Sequence, residues 1–83
     1  MIDPHSHPQV EGAIVFDDCN PAIIGYGSQH GYDPVIIYDY ELLVAQFIED
    51  GMTEEEAMEW VDYNIVGAWL GERTPVILYR FPV

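Results

Sequence analysis

Asp3, His5 and His7 stand at alternate positions near the start of the chain, a spacing that lets two imidazoles and a carboxylate converge on one metal ion. Set between Pro4 and Pro8, the same residues read more simply as a solvated arm, so no metal or other cofactor is assigned to them. Cys19 and His30 offer a thiol and an imidazole. No Lys or Arg stands near either in sequence to hold a thiolate, and nothing fixes their distance. Gly25-Tyr26-Gly27-Ser28 lacks the third glycine and the long following helix of a dinucleotide loop, and it has no lysine for phosphate. An Asp-x-Asp-x-Asp-Gly calcium loop is absent. Carboxylates are so abundant that any two could be paired as acid and base, which leaves no catalytic signal in the pairing. The chain is therefore expected not to be an enzyme. A small metal-binding protein built on the His arm is a subsidiary reading.

The abundance of acid does carry an electrostatic signal. Fifteen Asp and Glu face two Arg, for a net charge of -13 over 83 residues. A folded domain of this length is roughly 30 Å across, and that length of duplex DNA carries about 18 phosphate charges. Such a surface repels nucleic acid and anionic membrane and is drawn to strongly basic surfaces, whose usual owners bind nucleic acids. A nucleic-acid mimic follows as the expectation. Solubility or adaptation to high salt would also explain acid, but gives no reason for two Trp, six Tyr and three Phe.

The acids fall in distinguishable places. Glu54, Glu55 and Glu56 open a helix, where its dipole favours them. Glu55, Glu59 and Asp62 stack like charges on one exposed face with no cation, at a cost of about 0.2–0.5 kcal/mol per adjacent pair. Glu49 and Asp50 end a helix, where the dipole favours cations, and Asp17 and Asp18 follow an apolar run. The expected partner-binding residues are Glu49, Asp50, Glu55, Glu59 and Asp62, with Asp17 and Asp18 second. Charge alone binds weakly at physiological salt, so an aromatic anchor is expected among Tyr26, Tyr32, Tyr40 and Tyr63.

These residues need elements to position them. Residues 1–12, with Pro4, Pro8 and Gly12, have no apolar period and are expected to form a flexible arm. Residues 13–83 form a single domain. Ala13-Ile14-Val15-Phe16 is expected as a buried strand, and Asn20-Pro21 to open a segment, Ala22 to Gly27, with Pro21 at the first position of a short helical turn that Gly25 and Gly27 stop. Val35-Ile36-Ile37-Tyr38 reads as a strand, and Asp39 caps a helix that runs to Gly51 with Leu42, Leu43, Phe47 and Ile48 on its apolar face. Thr53 and Glu56 make a capping box for a second helix, lined by Ala57, Trp60, Val61, Ile65, Ala68 and Trp69 and stopped at Gly71. Val76 to Phe81 completes the chain as a largely buried strand. The fold class is α+β: a small three-stranded sheet with two helices packed on one face, in the order strand, turn, strand, helix, helix, strand. The position of the last strand in the sheet is left open.

Apolar residues make up 49% of the chain, enough for a folded core. The single Cys19 cannot form an internal disulfide, the N-terminal residues lack the form of a secretory signal, and no apolar run approaches the ~20 residues that span a bilayer. A soluble intracellular protein is expected.

Met52-Thr53-Glu54-Glu55-Glu56-Ala57, Trp60, Tyr63-Asn64, Gly67-Ala68-Trp69, Gly71 and Thr74-Pro75, with Tyr38-Asp39 upstream, resemble a pattern in small uncharacterised accessory proteins of tailed bacteriophages. The resemblance implies a phage protein acting in the cytoplasm of an infected bacterium. By size and charge it is similar to anti-CRISPR and anti-restriction inhibitors. The expected partner is thus a basic nucleic-acid-binding complex of the host, a CRISPR effector foremost, with no direct nucleic-acid or membrane binding, and the protein is a monomer or homodimer. A phage structural or assembly protein that self-associates through its sheet or its aromatics is the alternative.

Overall fold

The β-branched run that follows Pro34 becomes the centre of a three-stranded mixed sheet. The computed structural model describes residues 2–82. Strands β1 (Ile23–Gly27), β2 (Val35–Asp39) and β3 (Val76–Leu78) and helices α1 (Tyr40–Glu49) and α2 (Glu54–Val61) form an α+β fold, in the order strand, strand, helix, helix, strand. β1 pairs antiparallel with β2, with Tyr26 opposite Ile36 and Gly27 opposite Val35. β3 pairs parallel with β2 on its other side, with Ile37 opposite Val76 and Asp39 opposite Leu78. Parallel neighbours need a long crossover, and the two helices provide it.

The pleat sends alternate β2 side chains to opposite faces. Ile36 and Tyr38 point into the core against Leu43 and Val44 of α1, Ala57 and Val61 of α2, and Ile65. Val35 and Ile37 point the other way, into a shallow groove shared with Val76 and Trp69. That side of the sheet has no helix on it. Gly27 allows β1 to lie close to β2, since a Cβ there would sit 2.9 Å from Ile37 Cδ1.

The helix starts follow the expected chemistry. Asp39 accepts a hydrogen bond from the Leu42 amide at 3.1 Å, and Thr53 and Glu56 exchange both bonds of a capping box. α1 stops at Gly51, whose φ of 112° suits glycine.

Several expectations are corrected. Ala13–Phe16 is not a strand: the Phe16 amide is taken by the Tyr38 hydroxyl at 2.8 Å instead of a ladder partner. The short helical turn expected at Pro21 is a 3-10 turn over Asn20–Ala22, but it stops before Ile23, and residues 23–27, expected as irregular, form β1. Residues 2–12 wind through two 3-10 turns and bury Val10 in the core. Within α1, Leu43, Val44 and Phe47 face the core while Leu42 and Ile48 are exposed. α2 gives way to a π-turn over Asp62–Val66, closed by the Gly67 amide on the Asp62 carbonyl, so the helical stretch ends well before Gly71. β3 is short and largely exposed, and Phe81 lies outside it at 93% exposure. No helix of the described residues is long and apolar enough to cross a membrane.

Candidate partner-binding face

Six carboxylates are gathered into two grooves that meet at one tryptophan. The first groove, of about 410 Å³, is lined by Asp17, Asp18 and Asp50 with Phe47, Trp60 and Asn64 among its walls. The second, of about 770 Å³, is lined by Glu56, Glu59 and Asp62 with Met52, Trp60 and Tyr63. Trp60 is the residue common to both. It is 39% exposed, and its ring rests on Phe47 with centroids 4.5 Å apart.

Local structure explains each placement. Asp18 takes a left-handed backbone (φ 61°), a conformation that Asp tolerates better than most residues. The Gln46 side-chain amide of α1 donates to the Asp18 carbonyl and holds the Asp17–Asp18 turn against the helix that ends at Asp50. Asp62 begins the π-turn and accepts a 2.8 Å hydrogen bond from the Tyr40 hydroxyl. Burial, together with Asp62 as hydrogen-bond partner and neighbouring charge, pushes the Tyr40 phenol up to about 12, so Tyr40 remains a donor. The Glu56 carboxylate turns back to the Thr53 amide at 3.0 Å, which lowers its pKa.

Among the described residues none of these six acids meets a cation. Arg73 gives its donors to backbone carbonyls, two to Pro34 and one to Glu11 at 2.8 Å. Arg80 binds Asp39 at 2.6 Å and Glu41 at 3.1 Å, and these are the two ion pairs among the described residues. Burial disfavours the Asp39 charge, but the Arg80 guanidinium and the Leu42 and Glu41 amides outweigh it and hold the carboxyl below its ordinary value. Both arginines thus serve the fold. Among the described residues the remaining carboxylates make no ion pair.

Of the expected residues, the structure brings Asp17, Asp18 and Asp50 into one groove and Glu59 and Asp62 into the other. Glu49 and Glu55 are exposed but line neither groove. Among the tyrosines proposed as anchors only Tyr63, 85% exposed, lies here. Tyr26 is exposed on β1 and Tyr32 just beyond it, while Tyr40 packs on Tyr79 with ring centroids 4.9 Å apart. Sequence reasoning missed Trp60 and Glu56. Their signal was the helical spacing Glu56, Glu59, Trp60, Tyr63, which sets acids and aromatics on one face.

The other chemical candidates take structural places. Asp3 accepts from the His5 amide and the Ser6 hydroxyl, both at 3.0 Å, and so caps a 3-10 turn. No group of three or more His, Cys, Asp or Glu among the described residues is placed to hold a metal ion. Cys19 is buried, and burial with Asp18 and Asp17 nearby pushes its thiol up, away from a reactive thiolate. His30 is exposed in the turn between β1 and β2.

No protein-family model matches this chain, and no curated protein or solved structure matches it.

Proposed function

We propose that this protein is a non-enzymatic inhibitor that occupies a basic nucleic-acid-binding groove in place of DNA. The observation that supports the reading is the set of six carboxylates around Trp60 with no cation among the described residues paired to them. Along the 39 Å long axis of the molecule, duplex DNA carries about 23 phosphate charges. A net charge of -13 lies within a factor of two of that density. The carboxylates steer the encounter with a basic partner, and Trp60 and Tyr63 supply apolar area and an acceptor for cation–π contact with its Arg or Lys side chains. The resemblance of Met52–Pro75 to phage accessory proteins supports a phage origin, action in the host bacterial cytoplasm and a CRISPR effector or restriction complex as the target.

The experiment is capture of the tagged protein's partners from a bacterial lysate containing both kinds of complex, washed at low and high salt and challenged with DNA. The reading expects recovery of a nucleic-acid-binding complex that salt weakens and DNA displaces. Replacing Asp17, Asp50 and Glu59 with their amides should lower both the affinity and its salt dependence, and Trp60→Ala should lower the affinity alone. Recovery of no basic complex, or affinity untouched by the three amides, would count against mimicry.

A further inference from the structure

The groove lined by Asp17, Asp18 and Asp50 has three carboxylates and, among the described residues, no cation paired to them. Gln46 and Asn64 share its wall. Each commits its side-chain nitrogen to a backbone carbonyl, Gln46 to that of Asp18 and Asn64 to that of Trp60 at 3.0 Å, which leaves the amide oxygens as acceptors. Gln46 Oε1 is buried, and it is the single buried side-chain nitrogen or oxygen among the described residues without a hydrogen-bond partner. Buried acceptors are ordinarily paired, so this one marks a donor that the isolated chain lacks. The same groove has a flat apolar wall, the Trp60 ring resting on Phe47 with centroids 4.5 Å apart.

Building on the reading that this face meets a basic protein, we propose that the groove is the seat of one arginine side chain of that partner, its guanidinium held by the carboxylates and its flat face on Trp60. Guanidinium carries five N–H donors in a fixed plane, enough for several carboxylate oxygens and the Gln46 amide oxygen together. It also stacks on aromatic faces, and it sheds water more readily than an ammonium does, as entry into a partly closed groove of about 410 Å³ requires. Lysine offers the charge without the plane. A metal ion is a poorer occupant. No group of three or more His, Cys, Asp or Glu among the described residues is placed to hold one, so these carboxylates are too widely spread for a single small cation, whereas the donors of a guanidinium fan outward. The neighbouring groove around Tyr63, of about 770 Å³, is nearly twice as large and has no such unpaired acceptor on its wall.

Proton–nitrogen NMR spectra of the protein at low salt, titrated to millimolar concentration with acetyl-Gly-Arg-Gly-amide and with its Lys and citrulline counterparts, test the proposal. Citrulline keeps the shape of arginine without the charge. The Arg peptide should move the Trp60 indole and the Gln46 and Asn64 side-chain amide signals more than the Trp69 indole, and should bind more tightly than the Lys peptide. The citrulline peptide should move none of them. Asp17→Asn and Asp50→Asn, both at exposed positions, should each lower the Arg peptide's affinity about threefold, the worth of an exposed ion pair. Absence of any shift, equal binding of the Arg and Lys peptides, or an affinity indifferent to both Asn variants overturns the proposal. Mimicry would still stand or fall by the capture experiment, since it needs a basic groove but no arginine at Trp60. Selective Arg binding with no basic complex captured would support this site and count against mimicry.

Discussion

Replacing Glu59 with Gln should make this protein more stable, although it removes a charged group from the surface proposed to work. Glu59 lies four residues after Glu55 and three before Asp62, so it faces like charge on both sides along the same helix face. Each such pair costs about 0.2–0.5 kcal/mol, and Gln has nearly the helix propensity of Glu. Glu56 is left out of the sum because its carboxylate is turned back to the Thr53 amide. Removing two pairs therefore gains about 0.4–1 kcal/mol, which in a domain of this size raises Tm by about 2–8 °C. Thermal unfolding followed by circular dichroism at low salt measures the gain. At 1 M salt, where screening acts over about 3 Å, the difference should vanish. A Tm that does not rise at low salt, or a rise that survives high salt, would show that these carboxylates do not repel one another and that their placement costs the fold nothing.

Two further outcomes follow from the geometry. Asp39→Asn keeps an oxygen for the Leu42 amide but removes the charge facing Arg80. It should destabilise by about 1 kcal/mol, since Arg80 is half-exposed and solvent screens the pair. The folded carboxyl of Asp39 is held below its ordinary value, so its contribution is present above about pH 4 and fades as pH falls through the folded value. The stability gap between wild type and variant should close over that acid range in urea unfolding. Tyr38→Phe removes the acceptor of the Phe16 amide and leaves that donor unpaired in a part-buried setting, a loss of about 1–3 kcal/mol that denaturant unfolding will register.

The parts of the fold legible in the sequence are those whose cause is local. Asp39 and the Thr53–Glu56 box act within three residues of where they stand, and the β-branched run after Pro34 has one good conformation, so β2 and both helix starts lie where they were expected. β1 was not legible because its cause is distant. Gly25 and Gly27 look like turn residues until β2 lies beside them, and then Gly27, where a Cβ would sit 2.9 Å from Ile37 Cδ1, is what lets the two strands approach. Ala13–Phe16 failed for the converse reason, since its apolar pattern suits a strand but the Phe16 amide is claimed by Tyr38, 22 residues away. The acidic face was half legible. Carboxylate spacing along α2 could be read, whereas the approach of Asp17 and Asp18 to Asp50 depends on Gln46 reaching across to the Asp18 carbonyl. Trp60 was assigned to the core because helical spacing cannot tell a buried aromatic from one that lies on the rim with its ring on Phe47.

The distribution of charge also bears on whether acid merely keeps the chain in solution. Acid placed for solubility is most useful beside exposed apolar surface, where it opposes association. Tyr63, 85% exposed, lies in the groove of Glu59 and Asp62, and Asp33 and Glu72 line the groove of Trp69, so solubility accounts for those acids. It does not account for Asp17, Asp18 and Asp50, which gather about Phe47 and a Trp60 that is only 39% exposed. Replacing Asp17 and Asp50 with their amides should then weaken capture of a basic complex without lowering the protein's solubility, whereas a solubility role predicts the opposite pair of outcomes.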